Sequence, residues 1–246
     1  MYETLLISTL AGLATGLGGL IVVCFGKPSV KALSLILGIA AGINIVIATV
    51  ELLPAAVEHG NLSLMSVGFI FGIFIMSMID RAIPNVNLLN GSKNGVDSAR
   101  LIRTGILITV ALAVHNLPEG LAIGAGFEAT HSLGAIIAMA IGIHNIPEGM
   151  GAAAPLKMGG MSNKKIVLIT SMAGLATPVG TMIGMLLMRL SAAFVSLSLA
   201  FGGGAIMYVV CKELIPESHR QNAQYAIYGM TLGFLLTLIL AFGDLL

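Results

Sequence analysis

Apolar residues recur along this chain in long runs that short polar stretches separate. Each run is long enough to cross a hydrocarbon core of about 30 Å as a helix that rises about 1.5 Å per residue. The alternation typical of strands is weak, which favours helices over a β-barrel. The pattern therefore predicts eight membrane-spanning helices. They cover residues 3–26, 31–57, 60–83, 102–128, 131–156, 166–188, 192–215 and 222–244.

The predicted connections are short, apart from a polar, turn-rich loop over residues 84–101. No connection has the composition of an interdomain linker, so residues 1–246 are predicted to form a single membrane domain. The chain is 57% hydrophobic and only 9% charged, against about 25% charged residues in soluble domains. We therefore predict an all-α polytopic membrane protein. Cys24 and Cys211 lie in apolar segments, so we expect buried, unpaired cysteines without a disulfide framework.

Basic residues fall almost entirely on one side of the predicted bundle. Eleven of the twelve lie there, and only Arg189 lies on the other side. The eleven are Lys27, Lys31, Arg81, Lys93, Arg100, Arg103, Lys157, Lys164, Lys165, Lys212 and Arg220. The positive-inside rule makes their side cytoplasmic. Because the number of spans is even, both termini are predicted to be extracytoplasmic, in a multi-pass protein of the cell membrane.

The opposite face is mildly acidic, a property that favours arriving cations. Its polar residues are Glu3, Glu58, His59, Glu128, His131 and Asp244. The net charge is only +1, and no basic, aromatic stretch suggests binding to nucleic acid. The predicted partners are therefore cations and the lipid bilayer.

Two near-identical hexapeptides lie inside the apolar runs, HNLPEG at 115–120 and HNIPEG at 144–149. In each, His and Glu are four residues apart and so share one helix face. The motifs are 29 residues apart, which puts them at similar depth in consecutive, antiparallel helices. Two imidazoles and two carboxylates can converge there, a ligand set that suits Zn²⁺, Fe²⁺ or Mn²⁺.

The hexapeptides also contain Pro118 and Pro147, which cannot donate a backbone hydrogen bond within the helix. Each helix is expected to kink and to leave a carbonyl free. In lipid this is tolerated only where the backbone faces protein or a wet cavity. The alternative is a pair of kinked helices whose His and Glu residues bond each other across a packed interface. The duplication at matching depth favours the metal site.

At these motifs the sequence resembles the ZIP family of divalent-metal transporters, particularly its bacterial members. Further resemblance lies in ELLPAA at 51–56 and KELIPES at 212–218, in the second and seventh predicted helices. The resemblance covers essentially the whole chain. It implies a transporter that takes zinc or related ions into the cytoplasm and has both termini outside.

The resemblance also implies roles for individual residues. The primary metal ligands would be His115, Glu119, His144 and Glu148, and a second site would use Asn116, Asn145 and the same glutamates. This chain departs from relatives that have a full two-metal centre, because Thr177 stands before Pro178 where they have glutamate. It also has Asn145 where some relatives have aspartate. We therefore expect one well-formed metal site.

An importer needs weak binding stations on both sides of a tighter central site. Glu51 lies towards the outer end of the second helix, so we assign it as an entrance carboxylate. Glu213, with Asp80, is assigned to the exit. The alternatives are an ion pair of Asp80 with the adjacent Arg81, and one of Glu213 with Lys212 or with another helix. A lysine before Glu213 fits an exit site less well than an acid or histidine.

The predicted function is uptake of a divalent metal, zinc first, with iron or manganese as alternatives. The ion is transported cargo, and no cofactor is expected. An exporter or a metal-gated channel could use the same ligands. An intramembrane metalloenzyme is disfavoured, because the His-Glu-x-x-His motif of zinc proteases is absent. Gly180 and Gly184 form a GxxxG motif that would suit contacts within one chain or between the copies of a homodimer.

Overall fold

The computed structural model describes residues 2–82, 93–187 and 191–242, without the side chains of 93–97, 129, 133, 187 and 242. Its α-helices are α1 (Tyr2–Phe25), α2 (Val30–Val46), α3 (Leu53–His59), α4 (Leu62–Ala82), α5 (Lys93–Ala129), α6 (His131–Met158), α7 (Asn163–Gly174), α8 (Ala176–Leu187), α9 (Ala192–Val209) and α10 (Ile215–Phe242). Two π-helical segments join α2 to α3 and α9 to α10, over Ile47–Leu52 and Val210–Leu214. All regular structure in the described residues is therefore helical.

Six stretches of the described helices are long and apolar enough to span a membrane. They are Tyr2–Phe25, Val30–His59, Leu62–Ala82, Ser98–Glu128, Asn163–Leu186 and Ala192–Ala241. The last, of 50 residues, contains both α9 and α10, and α6, with the polar HNIPEG motif at its middle, is not among the six. An all-α polytopic membrane protein is confirmed, while the count of eight spans and the placement of the termini stay predictions. Arg189 and Asp244 lie outside the described residues.

The predicted loop over 84–101 is wrong for its second half, because α5 already begins at Lys93. The first half falls largely on residues 83–92, which lie outside the described part of the chain. Ala99 and Leu101 pack into the protein interior, and Arg100 pairs with Glu217 of α10. Sequence beyond the hydrocarbon core is polar whether it is helical or not, so polarity alone could not identify this extension.

Two predicted helices are interrupted. The sixth is divided between α7 and α8 at Leu175, just before Pro178, whose ring cannot donate a helical hydrogen bond. The eighth was predicted to begin at residue 222, but α10 begins at Ile215 and has one extended residue, Asn222 (φ −163°, ψ 105°). The backbone carbonyl of Asn222 accepts a hydrogen bond from the Ser34 hydroxyl at 2.6 Å, which satisfies a group that the break leaves free.

The helices divide into two groups by their contacts. In the first, α1 packs against α6 and α7, and α5 packs against α6 and α8. We call these five helices the site group. In the second, α2 packs along α10, while α3 and α4 pack against α9. We call this the flanking group. The two groups meet mainly where α5 contacts α9 and where α2 contacts α6.

Within each group, glycines let the backbones of neighbouring helices touch. A Cβ at Gly149 of α6 would lie 2.0 Å from the carbonyl oxygen of Thr15 in α1. In the flanking group, a Cβ at Gly72 of α4 would lie 2.1 Å from the carbonyl oxygen of Phe201 in α9. Neither place has room for a side chain. Small residues of this kind are what permits close packing of membrane helices.

The boundary between the groups is different. There a Cβ at Gly151 would first meet the Cβ of Ala40, and one at Gly202 would first meet the Cγ of Pro118, both at 2.7 Å. These neighbours are side-chain atoms, not backbone. At these two boundary positions the groups therefore meet through side chains, while Gly149 and Gly72 mark places inside the groups where backbone meets backbone.

The GxxxG motif lies inside the chain. A Cβ at Gly180 of α8 would lie 2.1 Å from the carbonyl oxygen of Leu117, and one at Gly184 would lie 2.8 Å from that of Leu121, both in α5. Of the two uses that the sequence left open, the structure shows the contact within one chain. A homodimer stays a prediction.

Cys24 and Cys211 are both unpaired and exposed. The absence of a disulfide between these described residues is confirmed, but their predicted burial is wrong. The surface of the bundle carries many exposed large apolar side chains, among them Leu6, Phe71 and Leu240. In a membrane protein the lipid itself is an apolar environment, so an apolar segment does not require burial of each of its residues in protein.

Substitution of Gly149 by alanine is predicted to lower the melting temperature in detergent by several degrees. The new methyl group would overlap the backbone of Thr15, and overpacking of this kind costs about 1–3 kcal/mol. Gly142→Ala on the same helix is the matched control, because a Cβ there makes an ordinary contact of 3.5 Å with Ala11. Equal melting temperatures for the two variants would show that the backbones of α1 and α6 are not in close contact at Gly149.

Candidate metal centre

The four acidic and basic side chains of the two hexapeptides meet between α5 and α6. The Nε2 atom of His115 lies 3.1 Å from Oε2 of Glu148 and 3.7 Å from Oε1 of Glu119. The Nε2 atom of His144 lies 2.7 Å from Oε1 of Glu119. Their exposed fractions range from 0% for His115 to 8% for His144. Each helix thus sets its imidazole against a carboxylate of the other, and all four groups are withdrawn from solvent.

The cluster has the geometry and charge of a divalent cation site. One ligand atom each from His115, Glu119 and Glu148 lie within 4.8 Å of one another, so a small side-chain adjustment would bring all three to one ion at ligand distances of about 2.0–2.2 Å. His144 joins this trio through Glu119. The Oε2 atom of Glu119 and the Oε1 atom of Glu148 are buried without a hydrogen-bond partner among the described residues. Buried carboxylate oxygens without partners are costly, so this donor set fits a cation.

Asn116 and Asn145 are anchored in matching ways. The side-chain amide of Asn116 donates to the carbonyl of Ala173 at 3.2 Å, and that of Asn145 donates to the carbonyl of Ala11 at 3.0 Å. Both residues are fully buried, and their Oδ1 atoms have no hydrogen-bond partner in the described part of the chain. Each asparagine therefore ties its helix to a neighbour in the site group and keeps one acceptor oxygen free.

A buried threonine accompanies each asparagine. Thr177 lies four residues after Ala173, across the break at Leu175, and Thr15 lies one helical turn after Ala11. Both are fully buried, and neither hydroxyl has a hydrogen-bond partner among the described residues. These oxygens are neutral, so the neighbourhood of the shared glutamates gains no further negative charge from them. Thr15 was not singled out from the sequence, since a threonine in a membrane helix usually bonds its own backbone, as Thr170 does.

Asn44 of α2 is a second polar residue that the sequence analysis did not identify. Its side chain is 5% exposed and donates to the carbonyl of Ala40 at 2.9 Å. It borders a narrow space that His115 and Glu148 also line. It is therefore a polar group of the flanking group that faces the centre. The only signal in the sequence was one amide inside an apolar run, AAGINIV at 40–46.

A cavity of about 780 Å³ lies between the two helix groups and reaches the centre. Glu119 and His144 contribute to its wall, and so do His59 and Ala241, near the ends of α3 and α10. Glu51 also lines this cavity. The predicted entrance carboxylate therefore shares one cavity with two of the predicted ligands, and the cavity extends towards the helix ends that the charge distribution places outside.

On the other side of the centre the described residues leave little space. The space beside His115 and Glu148 measures only about 10 Å³, and Ile108, Leu112 and Leu214 border it. A cavity needs about 10–15 Å³ to hold a single water molecule. Among the described residues, the centre is therefore accessible through the 780 Å³ cavity on one side and borders only this narrow space on the other. We call the apolar side chains of the narrow space the apolar seal.

The same local structure positions Glu51 and Glu213. Each lies in a π-helical segment and precedes a proline by three residues, Pro54 and Pro216. At the end of each segment the backbone N–H bonds five residues back, from Leu53 to Ala48 and from Ile215 to Val210. The proline has no N–H to donate, and the wider turn lets the helix continue without that hydrogen bond. Such bulges frequently mark functional sites.

The predicted exit residues, Asp80 and Glu213, lie beyond the apolar seal and are brought together by Arg103. Asp80 is 1% exposed, and its carboxylate accepts hydrogen bonds from Arg103, from Lys212 and, at 2.7 Å, from the Tyr208 hydroxyl. Its ion pairs are thus made with other helices and not with the adjacent Arg81 that the sequence suggested. Glu213 also contacts another helix, with its Oε1 atom 3.6 Å from Nη1 of Arg103.

Comparisons with known proteins identify the family of this chain. The family model described as ZIP Zinc transporter matches residues 89–241, which include both hexapeptides. The zinc transporter GufA of Myxococcus xanthus is 34% identical over 98% of this chain and 98% of its own length. The zinc transporter ZupT of Chlorobium phaeovibrioides is 35% identical over 95% of this chain and 94% of its own. ZupT of Corynebacterium efficiens is 34% identical over 91% and 90%. The chain therefore belongs to the ZIP family of zinc transporters.

Proposed function

We propose that this protein imports divalent metal ions, zinc first, across the cell membrane through a centre formed by His115, Glu119, His144 and Glu148. The observation that carries the proposal is the buried pair of glutamates, each with one oxygen that has no partner among the described residues. Two buried carboxylates that face two imidazoles form a donor set whose negative charge a divalent cation would neutralise. The names of the relatives, all zinc transporters, support zinc before iron or manganese.

The proposed topology has eight spans and extracytoplasmic termini. Its support is the distribution of basic residues and the antiparallel arrangement of α5 and α6 around the site. In this orientation the 780 Å³ cavity opens outwards, and the cluster around Asp80 and Arg103 lies on the cytoplasmic side. The state described is then outward-facing, with Glu51 as a carboxylate on the way in.

For the transport step we propose that the site group slides against the flanking group, as the family resemblance implies. All four proposed primary ligands belong to the site group, so the ion would travel with it. The backbone seams inside each group and the side-chain contacts between the groups support movement at that boundary. Opening of a narrow pore at Ile108 and Leu112 is the alternative.

The neutral surroundings of the second site support one well-formed metal site and not two. Thr177 stands where relatives with a two-metal centre have glutamate, and Asn145 stands where some relatives have aspartate. Asn116, Thr15 and Thr177 offer only neutral oxygens, which bind a borderline cation more weakly than carboxylates do.

An exporter or a metal-gated channel would use the same ligands as an importer. The direction of flux distinguishes import from these alternatives. An enzyme is disfavoured, because the ZIP family is one of transporters.

His144→Ala is predicted to reduce uptake of radioactive zinc into proteoliposomes by more than about tenfold, since even indirect partners of metal ligands change affinity by about 10–100-fold. His131→Ala is the matched control, because His131 is exposed at the outer surface and pairs with Glu3 at 3.1 Å. Efflux of zinc trapped inside the vesicles is measured as well, and its comparison with uptake gives the direction of transport. Equal uptake by both folded variants would mean that the centre is structural.

Zinc affinity is predicted to fall as the pH drops, because an imidazole binds metal only in its neutral form. Protons and metal compete for the same two ring nitrogens, so the dissociation constant should rise by up to about 100-fold for each unit of pH. Calorimetric titration of the purified protein at several pH values measures the slope. A constant affinity from pH 7.5 to about 5 would exclude histidine ligands.

Thr177→Glu is predicted to create a second zinc site. It adds a carboxylate beside Glu119 and Glu148, at the position where two-metal relatives have one. Equilibrium dialysis with elemental analysis should then count about two bound zinc ions per chain instead of one. Thr177→Gln has the same size without the charge and should still bind one ion. If wild type already binds two, the neutral oxygens suffice and the proposed departure from the two-metal relatives is wrong.

A further inference from the structure

We infer that Arg103 is an internal cation that holds the exit carboxylates and keeps the cytoplasmic side closed until the site group moves. This inference rests on the proposed import function, which it deepens by naming what closes the exit. Arg103 belongs to the site group, and it forms ion pairs with both predicted exit carboxylates, Asp80 and Glu213.

The guanidinium of Arg103 bridges two helices of the flanking group. Its Nη2 atom donates to the carboxylate of Asp80 and, at 3.0 Å, to the backbone carbonyl of the same residue. Its Nη1 atom lies 3.6 Å from Oε1 of Glu213. A planar guanidinium can serve two acceptors at once, which a lysine cannot do with the same geometry. One side chain of α5 thus ties the site group to α4 and to the π-helical segment after α9.

Two neighbours of Arg103 on the same helix add further ties. The hydroxyl of Thr104 donates to Oε2 of Glu213 at 2.8 Å. Arg100, about one turn earlier, contacts both carboxylate oxygens of Glu217 at 3.2 Å. These contacts all join the site group to the flanking group at the cytoplasmic end of α5. At the outer end the same two groups are separated by the 780 Å³ cavity.

The charges of this cluster balance among the residues that the structure describes. Its acids are Asp80, Glu213 and Glu217, and its bases are Arg100, Arg103 and Lys212. All three acids are at most 8% exposed, so removal of a base leaves a buried negative charge, which is strongly unfavourable. The closed state is therefore stabilised by cations that belong to the protein itself.

Movement of α5 would affect the two exit carboxylates, Asp80 and Glu213, differently. Lys212 belongs to the flanking group and also binds Asp80, so Asp80 would keep a partner after Arg103 departs. Glu213 would lose both Arg103 and Thr104. It is then the carboxylate that is free to receive the departing metal ion. This accounts for a lysine beside Glu213, where the sequence suggested that an acid or histidine would fit better. Lys212 neutralises Asp80 and leaves a single weak acidic station for release.

The test measures access from the cytoplasmic side. Ile108, 2% exposed and part of the apolar seal, is replaced by cysteine (Ile108→Cys) in a protein whose Cys24 and Cys211 are serine. Inside-out vesicles are treated with a membrane-impermeant methanethiosulfonate reagent. When Arg103→Met is added, the introduced thiol should be labelled at least about tenfold faster than when Arg103 is present. Arg81→Met, which removes an exposed arginine near the same end of α4, should leave the labelling rate unchanged.

Two further variants separate a closing role from a structural one. Arg103→Lys keeps the charge but cannot bridge both carboxylates, so it should restore only part of the protection. Glu213→Gln keeps the shape, removes one carboxylate and should give an intermediate labelling rate, even if Arg103→Met fails to fold. Labelling of Arg103→Met and Glu213→Gln at the unmodified rate would overturn the inference, as would rapid labelling when Arg103 is present.

The labelling experiment needs no zinc transport, so its result is independent of the uptake assay with His144→Ala. If uptake fails but Arg103→Met opens the inner side, the closing role stands and the cargo is wrong. If uptake through the centre holds but labelling is unchanged, the import function stands and Arg103 does not close the exit.

Discussion

The structure depends on the need to neutralise two buried glutamates within a membrane. Glu119 and Glu148 are at most 3% exposed, and each faces an imidazole of the neighbouring helix. A charge at the centre of a membrane helix costs about 2.5–3.5 kcal/mol on insertion scales. The surrounding architecture holds these helices in place. Glycines bring α1 close to α6 and α7, and α5 close to α8, while asparagines of α5 and α6 anchor on backbone carbonyls of α7 and α1.

The centre, the cavity and the ion pairs have different positions relative to the two helix groups. The proposed ligands of the centre lie within one group, the 780 Å³ cavity lies between the groups, and ion pairs join the groups at the opposite end. Backbone seams resist shear, because a small displacement brings hard atoms into contact. Side-chain contacts tolerate displacement better. The protein thus combines rigid groups with a boundary that can rearrange, which is what a carrier of ions requires.

The carboxylates at the two ends of the proposed pathway are stabilised in different ways. Glu51 is exposed to the outer cavity, where water lowers the cost of its charge. Glu213 and Asp80 are buried, and cationic side chains provide their partners. The same local device, a π-helical turn before a proline, positions both glutamates. The difference between an open and a closed side therefore comes from the neighbouring helices and not from the local sequence.

The sequence by itself determined the helical class, most of the helix positions and the convergence of the two hexapeptides, because the periodicity of a helix and the length of a span fix which residues share a face and a depth. It could not determine partners that are distant along the chain. Thr15 and Asn44 gave too weak a signal, because each is a single polar residue in an apolar run. The pairing of Asp80 with Arg103 across 23 residues, and not with its neighbour Arg81, depends on how separate helices pack. Which groups of helices form, and which side of the centre is closed, was decided only by tertiary structure, since those contacts join segments whose order in the chain does not specify their arrangement in space.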